Sequence, residues 1–206
     1  MAMSLCVWFN EICRNDVSLV GGKGANLGDM AQAHLPIPPG FVICASAYQQ
    51  MTQSNGLATR LAELTANLET NNSAQFEVIE QRAGQLFEQV PINDDLYRAI
   101  VEAYHCLGSQ TPVAVRSSAT AEDLAGASFA GQQDTYLNVI GDDEVVRAVY
   151  RCWASLYTSR AIFYRWQKGF DSSQVLMAVV VQKMVNSEKS GVLFTVDPVL
   201  GNHYQW

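Results

Sequence analysis

The chain contains a glycine-rich segment with the chemistry of a phosphate site. Val20–Met30 reads VGGKGANLGDM, in which Gly21, Gly22 and Gly24 surround Lys23. Phosphate cradles use backbone N–H groups exposed by small residues, a fixed cation and often a helix N-terminus. The apolar spacing within the segment predicts a loop that feeds a helix. A glycine turn with a surface lysine is also common, so this segment alone leaves an ordinary surface turn as the alternative.

Arg116 is a second candidate, because it follows the short apolar run Val113–Val115 and is expected at the end of a strand. A guanidinium held firmly there could contact phosphate oxygens through two hydrogen bonds. The alternative is an ordinary ion pair between this arginine and Glu122 or Asp123. Both interpretations remain open from the residues alone.

The run that begins at Arg116 and ends at Gln133, RSSATAEDLAGASFAGQQ, is small and polar. It has too few large apolar side chains for a core element, so it predicts a functional loop. The overlapping segment Ala127–Thr135, ASFAGQQDT, could form a mobile lid whose glycines and hydroxyls approach a triphosphate. An ordinary hairpin loop is the alternative.

The rest of the sequence predicts the elements that would hold these residues. Phe41–Cys44, after the stiff turn PIPPG, is typical of a buried strand. The nearly continuous apolar run Val175–Gln182 predicts a central strand, and Gly191–Val196 predicts another.

Helical patterns dominate residues 46–107, and Leu57–Leu68 carries a leucine stripe that indicates packing. From Asp142 the spacing predicts one long helix, and the stripe of that helix ends at Phe163. Together, the predicted strands and helices indicate a mixed α and β domain. Neither GxxxxGK[ST] nor a GxGxxG between a strand and a helix occurs, so P-loop and Rossmann interpretations fail.

Bulk properties exclude several classes of function. The 206 residues, 49% of them apolar, suffice for one sizeable domain or a large share of a bigger one. A formal net charge of −7 gives no basic field for nucleic acid. The five scattered cysteines favour buried or half-buried free thiols in a reducing cytosol. With no secretory signal and no apolar run of about 20 residues, we expect a soluble, cytoplasmic protein without membrane partners.

Five segments in order carry a family resemblance: VGGKGANLGDM, IPPGFVICASAY, VAVRSSATAEDLAGASFAGQQDTYLNV, SLYTSRAIFYR and SGVLFTVDP. Together they resemble the N-terminal region of the phosphoenolpyruvate synthase family over nearly the whole chain. Rifampicin phosphotransferases and, more distantly, pyruvate phosphate dikinases share much of the pattern. The resemblance implies an α+β fold, the N-terminal portion of an incomplete ATP-grasp nucleotide-binding domain over residues 1–206.

The resemblance also implies the site residues. By position in the family motifs, Lys23 and Arg116 hold the ATP phosphates, Gly131 and Thr135 belong to the lid, and Gln182 belongs to the nucleotide pocket. The second lobe, the phosphohistidine domain and the barrel that binds pyruvate are expected outside this chain.

The implied reaction converts ATP, pyruvate and water to phosphoenolpyruvate, AMP and phosphate through a phosphohistidine. None of the three histidines, His34, His105 and His203, stands in the family's Thr-Ser-His context, so no catalytic residue is assigned. Mg²⁺ is expected to accompany ATP, with its protein ligands outside the chain. Glu122, Asp123 and Asp134 are not the family's metal ligands, and no metal residue is assigned.

Two other functions remain open from the sequence. A rifampicin phosphotransferase would use the same nucleotide lobe with a different acceptor domain. A non-catalytic module is the other alternative, in which apolar surface left by a missing lobe would lead to self-association. For the isolated chain we expect no turnover.

Overall fold

An antiparallel sheet of five strands organises the described part of the chain. The structure is a computed structural model and describes residues 4–66, 68, 74–120, 134–168, 175–192 and 196. The strands are β1 (Cys6–Trp8), β2 (Gly40–Ile43), β3 (Val113–Ala119), β4 (Thr135–Val139) and β5 (Met177–Lys183). Their spatial order is β1-β2-β5-β3-β4. β5, which carries the longest apolar run of the five strands, is therefore central, as its sequence predicts.

Seven helices accompany the sheet in the described residues. They are α1 (Val17–Gln32), α2 (Ala45–Ser54), α3 (Leu57–Thr65), α4 (Ala74–Gln89), α5 (Asp94–Leu107), α6 (Asp142–Ala154) and α7 (Ser159–Lys168). Short 3₁₀ turns occupy Phe9–Glu11, Arg14–Asp16 and Ser155–Tyr157. The predicted helical region 46–107 is confirmed as α2 to α5, and the leucine stripe packs on the core.

The two faces of the sheet have different covers. Phe41 and Val181 face the larger core, to which α2 to α7 contribute. Val42 and Val180 point to the opposite face, where they pack with Val20 and other residues of α1. This separation follows from the two-residue period of a strand. The mixed α and β prediction is confirmed. Among the described helices, α1 contributes most of the cover of this second face, with Ala45 at the start of α2 beside it.

The predicted long helix from Asp142 is wrong, because α6 ends at Ala154 and α7 begins only at Ser159. The Ser155 hydroxyl donates to the carbonyl of Cys152 (2.6 Å), and the Thr158 hydroxyl donates to that of Ser155 (3.1 Å). Such local bonds compete with the helical ladder. Phe163 consequently leaves the predicted stripe and is 45% exposed.

The predicted strand Val113–Val115 is longer than its apolar part. Arg116 does not end it, because β3 continues to Ala119 in register with β5. Ser117 and Ser118 are fully buried in this extension, so the first residues of the small and polar run are core elements. Residues 121–133, including Glu122, Asp123 and most of the predicted lid, lie outside the described residues.

The prediction for the cysteines is confirmed in part. All five cysteines are free, and Cys44 is buried, where desolvation raises its pKa to about 11. Cys106 is exposed, against the expectation of buried or half-buried thiols.

Gly191 and Val192, the first residues of the predicted strand Gly191–Val196, have no regular structure. The rest of that segment lies outside the described residues, except its last position, which is a bend. No helix in the described ranges is long and apolar enough to cross a membrane.

Gly84, in the middle of α4, offers a stabilising substitution. A Cβ at this position would meet no atom within 4 Å. We expect Gly84→Ala to raise the free energy of unfolding by about 0.5–1 kcal/mol, because alanine loses less backbone entropy in a helix. Urea unfolding checks this, with Gly28→Ala in α1 as the opposite case, since its Cβ would lie 2.6 Å from the carbonyl oxygen of Ile12. A loss of stability in Gly84→Ala would contradict the prediction.

Candidate functional site

Three of the predicted ATP-binding residues project from one face of the sheet. Arg116 on β3 pairs directly with Thr135 on β4. On its other side Arg116 pairs with Val180 of β5, and Gln182 lies two residues further along that strand. Directly paired residues and second neighbours share a face. Val180 packs beneath α1, so Arg116, Thr135 and Gln182 lie on the face that α1 covers.

The fourth described candidate, Lys23, lies in α1 beside a break. The prediction that the glycine segment forms a loop before the helix is wrong, because helical structure already begins at Val17. Gly21 interrupts it with φ 69° and ψ 171°, and the helix resumes at Gly22. N–H groups in the first turn of a helix have no partner within that helix. The positive end of the resumed helix therefore lies at Gly22, Lys23 and Gly24, as a phosphate site requires.

Gly21 suits this position for two physical reasons. Its backbone angles fall in a region that only glycine adopts readily. A Cβ there would also lie 2.3 Å from both the carbonyl oxygen and the hydroxyl oxygen of Ser118. The break and the close approach of α1 to β3 thus depend on the same residue.

The serines and threonine of the VRSSAT run bind backbone groups around Arg116. The Ser118 hydroxyl donates to the Val20 carbonyl (2.9 Å) and accepts from the Gly24 N–H (3.2 Å). Ser117 donates to the carbonyl of Asp134 through both its N–H (3.1 Å) and its hydroxyl (3.2 Å). These bonds fix α1 on one side of Arg116 and the start of β4 on the other. Sequence reasoning missed this role, since the partners are distant along the chain.

Thr120 ties the end of the same run to the segment before β5. Both its N–H and its hydroxyl donate to the carbonyl of Leu176, each at 3.1 Å. The strand that carries Arg116 is therefore fixed beyond its last residue, immediately before the residues outside the description. The sequence contains a pattern that could have indicated these backbone bonds, because three hydroxyl residues, Ser117, Ser118 and Thr120, closely follow Arg116.

Gln182 connects the site to the turn before β2. Its side-chain N–H donates to the carbonyl of Pro38 (3.0 Å), within PIPPG. An amide side chain also has an acceptor oxygen, so this bond leaves Gln182 able to accept from a ligand. The residue is half-buried, like Arg116 and Lys23, whereas Thr135 is exposed. Gly131, the fifth predicted ATP-binding residue, lies outside the described residues.

Charged groups concentrate beside the β3–β4 edge. Asp134 accepts a hydrogen bond from the Tyr136 hydroxyl (3.1 Å), and the Arg151 guanidinium lies 4.9 Å from the centre of that ring. Burial raises the pKa of the Cys152 thiol, Asp134 raises it further, and the positive charges of Arg151 and Lys23 oppose both. The charge of Lys23 therefore acts on the Cys152 thiol of α6, as that of Arg151 does.

A family model decides what kind of domain this geometry belongs to. Residues 17–205 match the model described as pyruvate phosphate dikinase, AMP/ATP-binding domain. The chain belongs to this family. The match includes all five predicted ATP-binding residues.

Curated relatives of this AMP/ATP-binding domain are longer proteins. The chain is 50% identical over 199 residues to a probable phosphoenolpyruvate synthase of Archaeoglobus fulgidus, covering 95% of this chain and 26% of the relative. It is 47% identical over 207 residues to one of Methanocaldococcus jannaschii, covering 98% and 17%. It is 41% identical to the phosphoenolpyruvate synthase of Pyrococcus furiosus, covering 98% and 29%. The chain thus spans less than a third of each of these relatives.

The histidines of the AMP/ATP-binding domain lie away from the candidate site where they are described. His105 on α5 is exposed and its Nε2 lies 2.8 Å from Oδ1 of Asp142. His34 is exposed after α1, with a positive φ of 55°. His203 lies outside the described residues. Both described histidines are exposed, and neither is assigned a catalytic role.

Proposed function

We propose that this chain binds ATP through the face of the sheet beneath α1, with Lys23 and Arg116 as the phosphate-binding cations. The observation that supports this most is the shared face of Arg116, Thr135 and Gln182, next to the interrupted start of α1. We infer that the backbone N–H groups at the resumed start of α1, the Lys23 ammonium and the Arg116 guanidinium face one ligand. An overall net charge of −7 makes such a local cationic site a specific feature, not part of a basic surface.

The proposed chemistry is charge stabilisation. In phosphoryl transfer, negative charge spreads over the equatorial oxygens, and proteins act mainly by positioning and by fixed donors and cations. Arg116 can offer two parallel N–H groups to one phosphate, whereas Lys23 acts as a point charge. Thr135 and Gly131 would cover the phosphates as part of a lid, and Gln182 would contribute to the nucleotide pocket.

We further propose the architecture and the activity of the complete protein. The finer fold assignment is the N-terminal part of an ATP-grasp domain over residues 1–206, with the second lobe in a following segment. The names of the relatives support a phosphoenolpyruvate synthase, which forms phosphoenolpyruvate from ATP, pyruvate and water through a phosphohistidine. Neither that histidine nor the pyruvate site is assigned to this chain, and the chain alone would not turn over.

Magnesium is proposed to accompany ATP. In the described ranges no group of three or more His, Cys, Asp and Glu side chains could hold a metal ion. A protein-bound Mg²⁺ uses one or two carboxylates together with the nucleotide phosphates. We assign no step to the ion and propose that its protein ligands lie outside this chain. A cytoplasmic location and self-association of the chain likewise stay predictions.

Calorimetric titration of this chain with ATP in the presence of Mg²⁺ tests the proposal. Adenosine, which lacks the phosphates, is the matched control ligand. We expect ATP to bind at least tenfold more tightly than adenosine, because Lys23, Arg116 and the start of α1 contact only the phosphates. Equal affinities would contradict the phosphate assignment. Absence of ATP binding would contradict an ATP site within this chain.

A further inference from the structure

Ser118 occupies an unusual place in the backbone hydrogen bonding of α1. In an uninterrupted helix the N–H of Gly24 would donate to the carbonyl four residues earlier, which is that of Val20. The Ser118 hydroxyl instead bonds both groups, accepting from Gly24 N–H at 3.2 Å and donating to Val20 C=O at 2.9 Å. A side chain from β3 is thus inserted into the ladder of another element.

This insertion accounts for the break in α1. Sharp helix kinks arise where a side chain or water enters the i to i−4 ladder, and at glycine. Both causes meet at Gly21, whose missing Cβ leaves the space that the hydroxyl oxygen of Ser118 requires. Ser118 is fully buried, so water cannot readily take its place.

The position of Ser118 also links the two phosphate-binding elements. It stands two residues after Arg116 on the same face of β3. Its hydroxyl fixes the amide of Gly24, the residue that follows Lys23. A movement of α1 relative to β3, which would change the distance between Lys23 and Arg116, would therefore also strain these two hydrogen bonds.

We propose that Ser118 is a positioning residue of the phosphate site. Its hydroxyl holds α1 open at Gly21, so that the N–H groups of Gly22 and Lys23 and the Arg116 guanidinium face one ligand. Ser118 itself does not touch the nucleotide. This inference rests on the proposed function, since it explains how that site is held in shape.

Amide NMR of the chain without ligand tests the insertion. We expect Ser118→Ala to shift the resonances of Gly22, Lys23 and Gly24, because the hydroxyl that separates Gly24 from Val20 is gone. Ser117→Ala is the matched control, since that hydroxyl bonds Asp134 instead and should leave these three resonances in place. Unchanged resonances in Ser118→Ala would overturn the insertion.

Ligand binding tests the positioning role. We expect Ser118→Ala to weaken ATP binding at least tenfold while adenosine affinity changes less than twofold, whereas a general loss of folded protein would lower both. Ser118→Cys keeps the shape of the side chain with a somewhat larger sulfur atom and only weak hydrogen bonding, so it should behave like Ser118→Ala and serves if that variant does not fold. If a folded Ser118 variant bound ATP with the affinity of the unsubstituted chain, the positioning role of Ser118 would be overturned while the proposed function would stand. Failure of the unsubstituted chain to bind ATP would overturn the proposed function, and this inference with it.

Discussion

Alanine at Lys23 or Arg116 should reduce kcat/KM for ATP by roughly two to three orders of magnitude in a complete enzyme that contains this domain. This corresponds to about 3–4 kcal/mol of transition-state stabilisation, the scale found when one preorganised charge-stabilising donor is removed. Both side chains are half-buried, which restricts their conformations before ATP binds. Less conformational entropy is then lost when they contact the phosphates. The largest loss should appear in the rate of phosphoryl transfer from ATP.

Arg98 provides the matched control for this prediction. It is an exposed arginine on α5, and its partner is the neighbouring Asp95 at 2.5 Å. Arg98→Ala should leave kcat/KM within about twofold, because a single exposed ion pair contributes little. Equal losses at Lys23, Arg116 and Arg98 would refute the assignment. Arg116→Lys separates charge from geometry, since lysine keeps the charge but loses the two parallel N–H donors.

Much of the fold could be predicted from local patterns. Strands β2 and β5 and the helices from α2 to α5 each bury one regular apolar pattern, so their periodicity is visible in the sequence. The central position of β5 follows from its apolar residues on both faces, Val179 towards the larger core and Val180 towards α1. For these elements, local sequence preference and tertiary packing agree.

The errors arose where hydroxyl side chains replace regular backbone bonds. Ser117 and Ser118 look like loop residues by composition, yet the hydroxyl partners of both lie far along the chain, at Asp134 and Val20. Ser155 ends α6 by a local hydroxyl bond that apolar periodicity does not register. The bonds of Ser117 and Ser118 depend on tertiary placement, so a single sequence could not reveal them.

In the candidate site, too, the residue types could be predicted from the sequence but their tertiary arrangement could not. Lys23 and Arg116 were identifiable because their residue types match phosphate chemistry and their segments match a family. The shared face of Arg116, Thr135 and Gln182 could not be derived, since it depends on the register of β3 with β4 and β5. The role of Ser118 was further hidden because a buried serine has no distinctive pattern in sequence. Residue chemistry and the family motifs pointed to Lys23 and Arg116, whereas the positions of their elements are set by tertiary structure.

Gly21→Ala should be the most destabilising glycine substitution in the phosphate-binding segment. The native φ of 69° with ψ of 171° strains an alanine, and the new Cβ would lie 2.3 Å from two oxygens of Ser118. Backbone strain and overpacking together predict a loss of roughly 2–5 kcal/mol in the free energy of unfolding. Urea unfolding of the two proteins measures it.

Gly56→Ala provides a comparison without a clash. Gly56 also has a positive φ of 63°, with ψ of 11°, and a Cβ there would meet nothing within 4 Å. Its substitution should cost about 1 kcal/mol, the left-handed penalty. Gly21→Ala should cost more, because its ψ of 171° is more strained for alanine and because its Cβ would meet Ser118. If Gly21→Ala were as mild as Gly56→Ala, α1 could move away from Ser118 at little cost, and the contact between α1 and β3 would not be rigid.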